Sequence, residues 1–150
     1  MKIYLDICAI QRPLDSYTQI RIALEAEAVL GILALCDEGK LELVSSDILI
    51  YETEQNPLPI RQEHGYAVLA KAKTVIKLTD EVKTRSTELS NIGLKPIDSL
   101  HLALAESIKV DYFCTCDDRL IKAAKRANDL QIPVVSPIEL IQEIENDYGN

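Results

Sequence analysis

Apolar positions along this chain come in short blocks that alternate between strand-like runs and helix-like faces, with Gly, Pro or a small polar residue at most of the changes. "KIYLDI" predicts a first strand that ends at a polar residue, Asp6. "RIALEAEAVLGILALCDEG" predicts a long helix, rich in Ala, Leu and Glu and stopped by Gly39. "KLELVSS" reads as a second strand, and Ser46 then serves as N-cap for a short helix through "SDILIYETEQN", closed by Pro57 and Pro59. "RQEHGYAVLAKAK" is helical and "TVIKLT" short and extended. "DEVKTRSTELSNIG" predicts a helix with Thr79 or Asp80 as cap and Gly93 as stop. A helix follows from Pro96 to about Ile108, then a strand "VDYFCTC", a helix "DDRLIKAAKRAND", a last strand "IPVVS" and a final helix "PIELIQEIEND".

Strands alternating with helices imply βαβ units, hence an α/β fold: a three-layer α/β/α sandwich around a central, mostly parallel sheet. With no repeat, low-complexity tract or linker, residues 1–150 read as a single domain. Ligands of such sheets bind in the crevice beyond the carboxyl ends of the strands. Asp6 ends the first strand, Asp117 and Asp118 follow "VDYFCTC", and Glu52 lies on the short helix after "LVSS". Asp98, in "KPIDSLHLALAE", sits in an otherwise apolar first turn. A carboxylate there gains about 0.3–1 kcal/mol from the helix dipole. It also joins the acidic set if that helix points its N-terminus at the same edge.

Composition narrows the classes. The 150 residues are 47% hydrophobic and 27% charged, ordinary for a globular protein. No apolar run approaches the ~20 residues of a membrane span, and no signal-peptide pattern opens the chain, so the expectation is a cytoplasmic protein without a membrane partner. The net charge of −8 argues against gripping nucleic acid by bulk electrostatics. It does not exclude a nuclease, because a metal-binding carboxylate cluster is itself acidic. The four cysteines, Cys8, Cys36, Cys114 and Cys116, form no CxxC pair and read as reduced, buried thiols.

Three or four carboxylates gathered in one place repel each other, which raises their pKa values and costs stability. A divalent cation removes that cost, and an all-oxygen ligand set favours Mg²⁺ or Mn²⁺. Such an ion suits phosphodiester chemistry.

The residues involved resemble the PIN domain family, the fold of many single-strand ribonucleases and of VapC-type toxins. "YLDICAIQRP" resembles the first motif of that family, and "SSDILIYETE" the second, with Ser46 six residues before Glu52. "KPIDSLHLALAE" resembles the third, and "YFCTCDDRL" the fourth, here Thr115-Cys116-Asp117. One position departs: Ile7 stands where the family usually has Thr or Ser. The resemblance implies a Mg²⁺- or Mn²⁺-dependent endoribonuclease in which Asp6, Glu52, Asp98 and Asp117 hold the metal. It also implies an RNA substrate, a cognate antitoxin and a homodimer.

Each residue also has a plainer reading. Asp6 could form a turn, Glu52 could lie on a solvated face in competition with Glu54, and Asp117 or Asp118 could cap a helix. Ser46, Thr115, Asp118 and His101 could orient carboxylates, while His101 fits a hydrogen-bonded core histidine better than a base. Arg12, Arg119, Lys122, Lys125 and Arg126 could hold RNA phosphates or form a solvated face. A weakly catalytic binding or scaffold module is the alternative function. A phospho-acceptor receiver domain fits poorly, since "YLDICA" has no acidic pair and "PVVSPIEL" no Lys.

Overall fold

The structure, a computed structural model, describes residues 1–148. Its strands are β1 (Lys2–Leu5), β2 (Glu42–Ser46), β3 (Thr74–Ile76), β4 (Tyr112–Cys114) and β5 (Val134–Val135). They form one all-parallel sheet in the order β3-β2-β1-β4-β5. Ile3 pairs with Leu43 on one side and Tyr112 on the other. Ile3, Tyr4 and Leu5 are all fully buried, as expected of a central parallel strand covered on both faces.

The chain builds β1, β2 and β3 outward in one direction and then crosses to the other side of β1 for β4 and β5. Strand order therefore reverses between β1 and β4. At such a switch point the following connections diverge and leave a crevice at the carboxyl edge.

Eight helices flank the sheet among the described residues: α1 (Ile7–Gln11), α2 (Ile20–Asp37), α3 (Asp47–Glu54), α4 (Pro59–Leu69), α5 (Asp80–Ser90), α6 (Pro96–Ser107), α7 (Asp118–Arg126) and α8 (Pro137–Tyr148). Local signals explain most ends. Ser46 caps α3 by accepting from the Leu49 amide at 3.1 Å, and Thr79 rather than Asp80 caps α5 through Val82 at 3.2 Å. Gly39 and Gly93, just beyond α2 and α5, take φ values of 76° and 93°, where a Cβ would be strained.

Two expectations need correction. The first strand stops at Leu5 rather than at Asp6, because Asp6 turns the chain and caps α1. The helix expected to open at Arg61 opens at Pro59, where the missing N–H of proline costs nothing at N1.

Gly65 shows how tightly α4 seats. A Cβ there would lie 2.8 Å from Thr53 Cγ2, 3.2 Å from Thr53 Oγ1 and 3.4 Å from Gln11 Nε2. Neither neighbour is free to move: the Thr53 hydroxyl donates to Leu49 O at 2.8 Å, and the Gln11 amide donates to Arg61 O at 2.9 Å. Gly65→Ala should therefore lower the melting temperature, by about 3–6 °C for a net loss of roughly 1–2 kcal/mol, despite alanine's better helix propensity. Thermal denaturation checks this, and a higher melting temperature would contradict the close packing.

Candidate metal centre at the carboxyl edge of the sheet

Asp6 lies at the switch point. Its amide donates to Cys114 O at 2.9 Å, continuing the β1–β4 ladder one residue past the strand. The residue is 7% exposed, and its carboxylate is held on both oxygens. Oδ1 accepts from the Ile7 amide at 2.8 Å, and Oδ2 accepts from the Thr115 hydroxyl at 2.9 Å. That hydroxyl in turn accepts from the Asp117 amide at 3.1 Å, so Thr115 ties the two acidic connections together. Thr115 thus supplies to Asp6 a hydroxyl contact of the kind that Ile7 cannot make.

Glu52, half-buried on α3, hydrogen-bonds Nε2 of His101. His101 is 1% exposed, and its Nδ1 meets the Tyr4 hydroxyl at 2.6 Å. The Tyr4 hydroxyl also meets Ser46 Oγ at 2.7 Å. Burial pushes the Tyr4 phenol well above its ordinary pKa, so it stays protonated. Ser46 Oγ accepts from the Leu49 amide, the Tyr4 hydroxyl bridges Ser46 and Nδ1 of His101, and Nε2 of the same ring bonds the Glu52 carboxylate. The edge of the Tyr4 ring also packs on His101, with centroids 5.7 Å apart. Asp6 Oδ1 lies 4.0 Å from Nε2 of His101. Asp6, Glu52 and His101 each present a ligand atom within 4.8 Å of the others.

Asp98 occupies the first turn of α6, while the N-cap position is Lys95. No described residue donates a hydrogen bond to its carboxylate, so a capping role does not account for it. Partial burial pushes its pKa up, and the negative charges of Asp6 and Asp117 push it further, against smaller opposing effects of His101 and Lys95. Asp117 caps α7, accepting from the Arg119 and Leu120 amides at 2.9 and 3.4 Å. Asp118 takes a different course: exposed, it receives both Arg21 guanidinium nitrogens at 2.6 and 2.7 Å. It orients none of the four expected carboxylates.

The chain matches the PIN domain family over residues 3–126. It is a PIN domain. Solved structures with the same fold include VapBC2 from Rickettsia felis bound to a DNA fragment from its promoter, with a TM-score of 0.60, 14% identity and coverage of 91% of this chain and 98% of that one. PAE2754 from Pyrobaculum aerophilum gives 0.52 at 16% identity, covering 97% and 90%. DNA-bound VapBC from Salmonella typhimurium gives 0.52 at 17%, covering 91% and 98%. No curated protein sequence matches.

The acidic edge of this PIN domain has a donor set that suits a hard divalent ion. Asp6 and Glu52 bring carboxylate oxygens together, and burial pushes the Asp98 pKa up, helped by the charges of Asp6 and Asp117 that an ion would offset. Tyr4 is the supporting residue that motif reading passed over. Its position two before Asp6 was the available signal, since residues i and i+2 leave a strand on one face.

The sign of the Asp98 shift makes a prediction. Its carboxyl holds a proton more tightly in the folded chain than in the unfolded one, so its ionisation opposes folding as pH rises through the folded-state pKa. Without metal, Asp98→Asn should melt slightly above the parent at neutral pH. The half-exposed position limits the gain to at most about 1 kcal/mol. The difference should shrink as the pH falls toward the ordinary carboxylate range. Melting curves at several pH values in a chelator check this, and a variant that melts well below the parent at neutral pH would contradict it.

Proposed function

We propose that this PIN domain is a Mg²⁺- or Mn²⁺-dependent endoribonuclease, the toxin of a VapBC-type toxin–antitoxin pair. The observation that carries the reading is the meeting of Asp6 and Glu52 beside His101 at the β1/β4 switch point, with Asp98 near enough to feel the charges of Asp6 and Asp117. Asp6, Asp98 and Asp117 would hold the ion, with Glu52 positioning metal or water. When bound, the ion polarises a phosphoryl oxygen and eases deprotonation of a water. The chain's own part is to aim its carboxylates. Thr115 and the Ile7 amide fix Asp6, and the Ser46–Tyr4–His101 series fixes Glu52.

Substrate phosphates need cations in this acidic protein. Arg12 is already engaged by Asp15 at 2.9 Å and Glu25 at 3.1 Å. Arg119, Lys122, Lys125 and Arg126 are exposed along α7, the helix that Asp117 opens, and they are suited to an RNA backbone. The VapBC neighbours support a cognate antitoxin as partner; a homodimer and a cytoplasmic location complete the reading. No described helix is long and apolar enough to cross a membrane.

Cleavage of end-labelled single-stranded and hairpin RNAs tests the proposal. Internal cuts should appear with Mg²⁺ or Mn²⁺, vanish in chelator and be absent in Asp6→Asn. Cleavage that survives the chelator would refute the metal-dependent reading. Tight RNA binding without cleavage would favour the alternative, a binding module.

A further inference from the structure

Two thiols that the proposed metal chemistry does not use lie against each other beside it. Cys8 is in the first turn of α1, two residues after Asp6, and Cys116 lies between Thr115 and Asp117. Separated by 108 positions in sequence, they are brought together by the β1–β4 pairing. The Cys8 sulfur accepts the Cys116 amide at 3.3 Å and touches Thr115 Oγ1 at 3.2 Å and Asp6 Oδ2 at 3.5 Å. The two thiols lie close enough to perturb each other's proton affinity, and the Arg12 guanidinium acts on the Cys116 sulfur. The other two cysteines are placed differently: Cys114 is fully buried on β4, and Cys36 lies near the far end of α2.

A hydrophobic core needs no such arrangement, since two apolar side chains would fill the space without pairing. Thiol–thiol contact across two separate connections is instead what a reversible cross-link requires. We infer that Cys8 and Cys116 form an oxidation site, a dithiol that hydrogen peroxide closes to an intramolecular disulfide between the β1–α1 and β4–α7 connections.

The chemistry balances with peroxide as the only oxidant. The Cys116 sulfur, favoured by its Arg12 neighbour, attacks one peroxide oxygen; an S–O bond forms and the O–O bond breaks. The departing oxygen leaves as water, taking the thiol proton. The Cys8 sulfur then attacks the sulfenic sulfur of Cys116; the S–S bond forms, the S–O bond breaks, and a second water leaves with the Cys8 proton. In sum, two thiols lose two electrons and one peroxide is reduced to two waters. Closing the bridge brings the two sulfurs to the ~2 Å of an S–S bond.

The bridge consumes the Cys8 thiol that contacts Thr115 and Asp6, so oxidation should also disturb the support of Asp6. That consequence rests on the metal-site reading, whereas the bridge does not. The test is therefore made on thiols, not on RNA. The reduced full chain is treated with hydrogen peroxide, quenched, unfolded and alkylated, and then analysed as intact protein and as peptides. The expected result is a monomer lighter by two hydrogens, with two of the four cysteines protected from alkylation and a reducible link joining Cys8 to Cys116. Cys114→Ser should form the link as the parent does, while Cys8→Ser and Cys116→Ser should not. Full alkylation of both residues after peroxide, a link to Cys114, a link between chains, or irreversible oxygen addition in place of a bridge would each overturn the inference. The wild-type map alone decides the question if a serine variant fails to fold. A chain without any ribonuclease activity would still give one of these answers.

Discussion

Asp6→Asn should lose metal-dependent RNA cleavage by at least about 100-fold while melting close to the parent. The lower bound follows from scale: a residue that merely orients a metal ligand already carries about 10–100-fold in affinity or activity, and Asp6 is proposed as a ligand itself. The fold should tolerate the change because asparagine caps helices nearly as well as aspartate, so its side-chain oxygen can still accept from the Ile7 amide. What disappears is the charge and the Oδ2 acceptor of the Thr115 hydroxyl. Initial cleavage rates at saturating Mn²⁺, with melting curves for both proteins, separate the two effects. A variant that keeps more than a tenth of the parent rate would remove Asp6 from the reacting centre. One that unfolds at room temperature would show that Asp6 is chiefly structural.

His101→Ala should be among the most destabilising changes at the site, at about 2–4 kcal/mol or roughly 5–15 °C in melting temperature. The ring fills space between Tyr4 and Glu52 that no water reaches freely, since His101 is 1% exposed and Tyr4 fully buried. Removing it opens a cavity and also leaves the Tyr4 hydroxyl and the Glu52 carboxylate without their shared partner. The two losses can be separated. His101→Leu refills most of the volume but offers no hydrogen bonds, so it should recover part of the stability and none of the support for Glu52. If leucine melts at or above the parent, the Tyr4–His101–Glu52 series contributes nothing to folding. Its role would then be confined to aiming Glu52.

Much of this architecture was legible because the chain punctuates itself locally. Gly39 and Gly93 stop helices where positive φ is needed, and Ser46 and Thr79 cap the helices that follow them. The βα alternation, and with it the parallel sheet, follows from those marks. The α1 helix was not legible: "ICAIQ" is only five residues long and continues the apolar run of β1, so no change of period announces it. Only the capping carboxylate marks the break, and Asp6 reads equally well as a strand end. Pro59 misled in the opposite way, since a proline that closes one helix can also open the next.

The site divides along the same line. Acidic residues at strand ends, at helix starts or on a short helix are local features, so Asp6, Glu52, Asp98 and Asp117 could each be nominated as candidates one at a time. Their partners are not local. Tyr4 meets His101 across 97 positions, Thr115 meets Asp6 across 109, and the choice between Asp117 and Asp118 turns on an Arg21 that lies 97 positions from Asp118. Such contacts depend on the β1–β4 pairing and its register, which a single sequence does not display. His101 was legible as a hydrogen-bonded core residue, but not as the group that holds Glu52.

Calorimetric titration of Mn²⁺ into the metal-free chain, alongside Asp98→Asn, tests the central claim most directly because it needs no guess about the RNA. The account predicts saturable binding to the parent and at least about a tenfold weaker affinity in the variant, while the variant's fold melts no lower than the parent's. Binding of equal strength in both proteins, or no binding to the parent at millimolar Mn²⁺, would contradict a metal centre at this edge of the sheet.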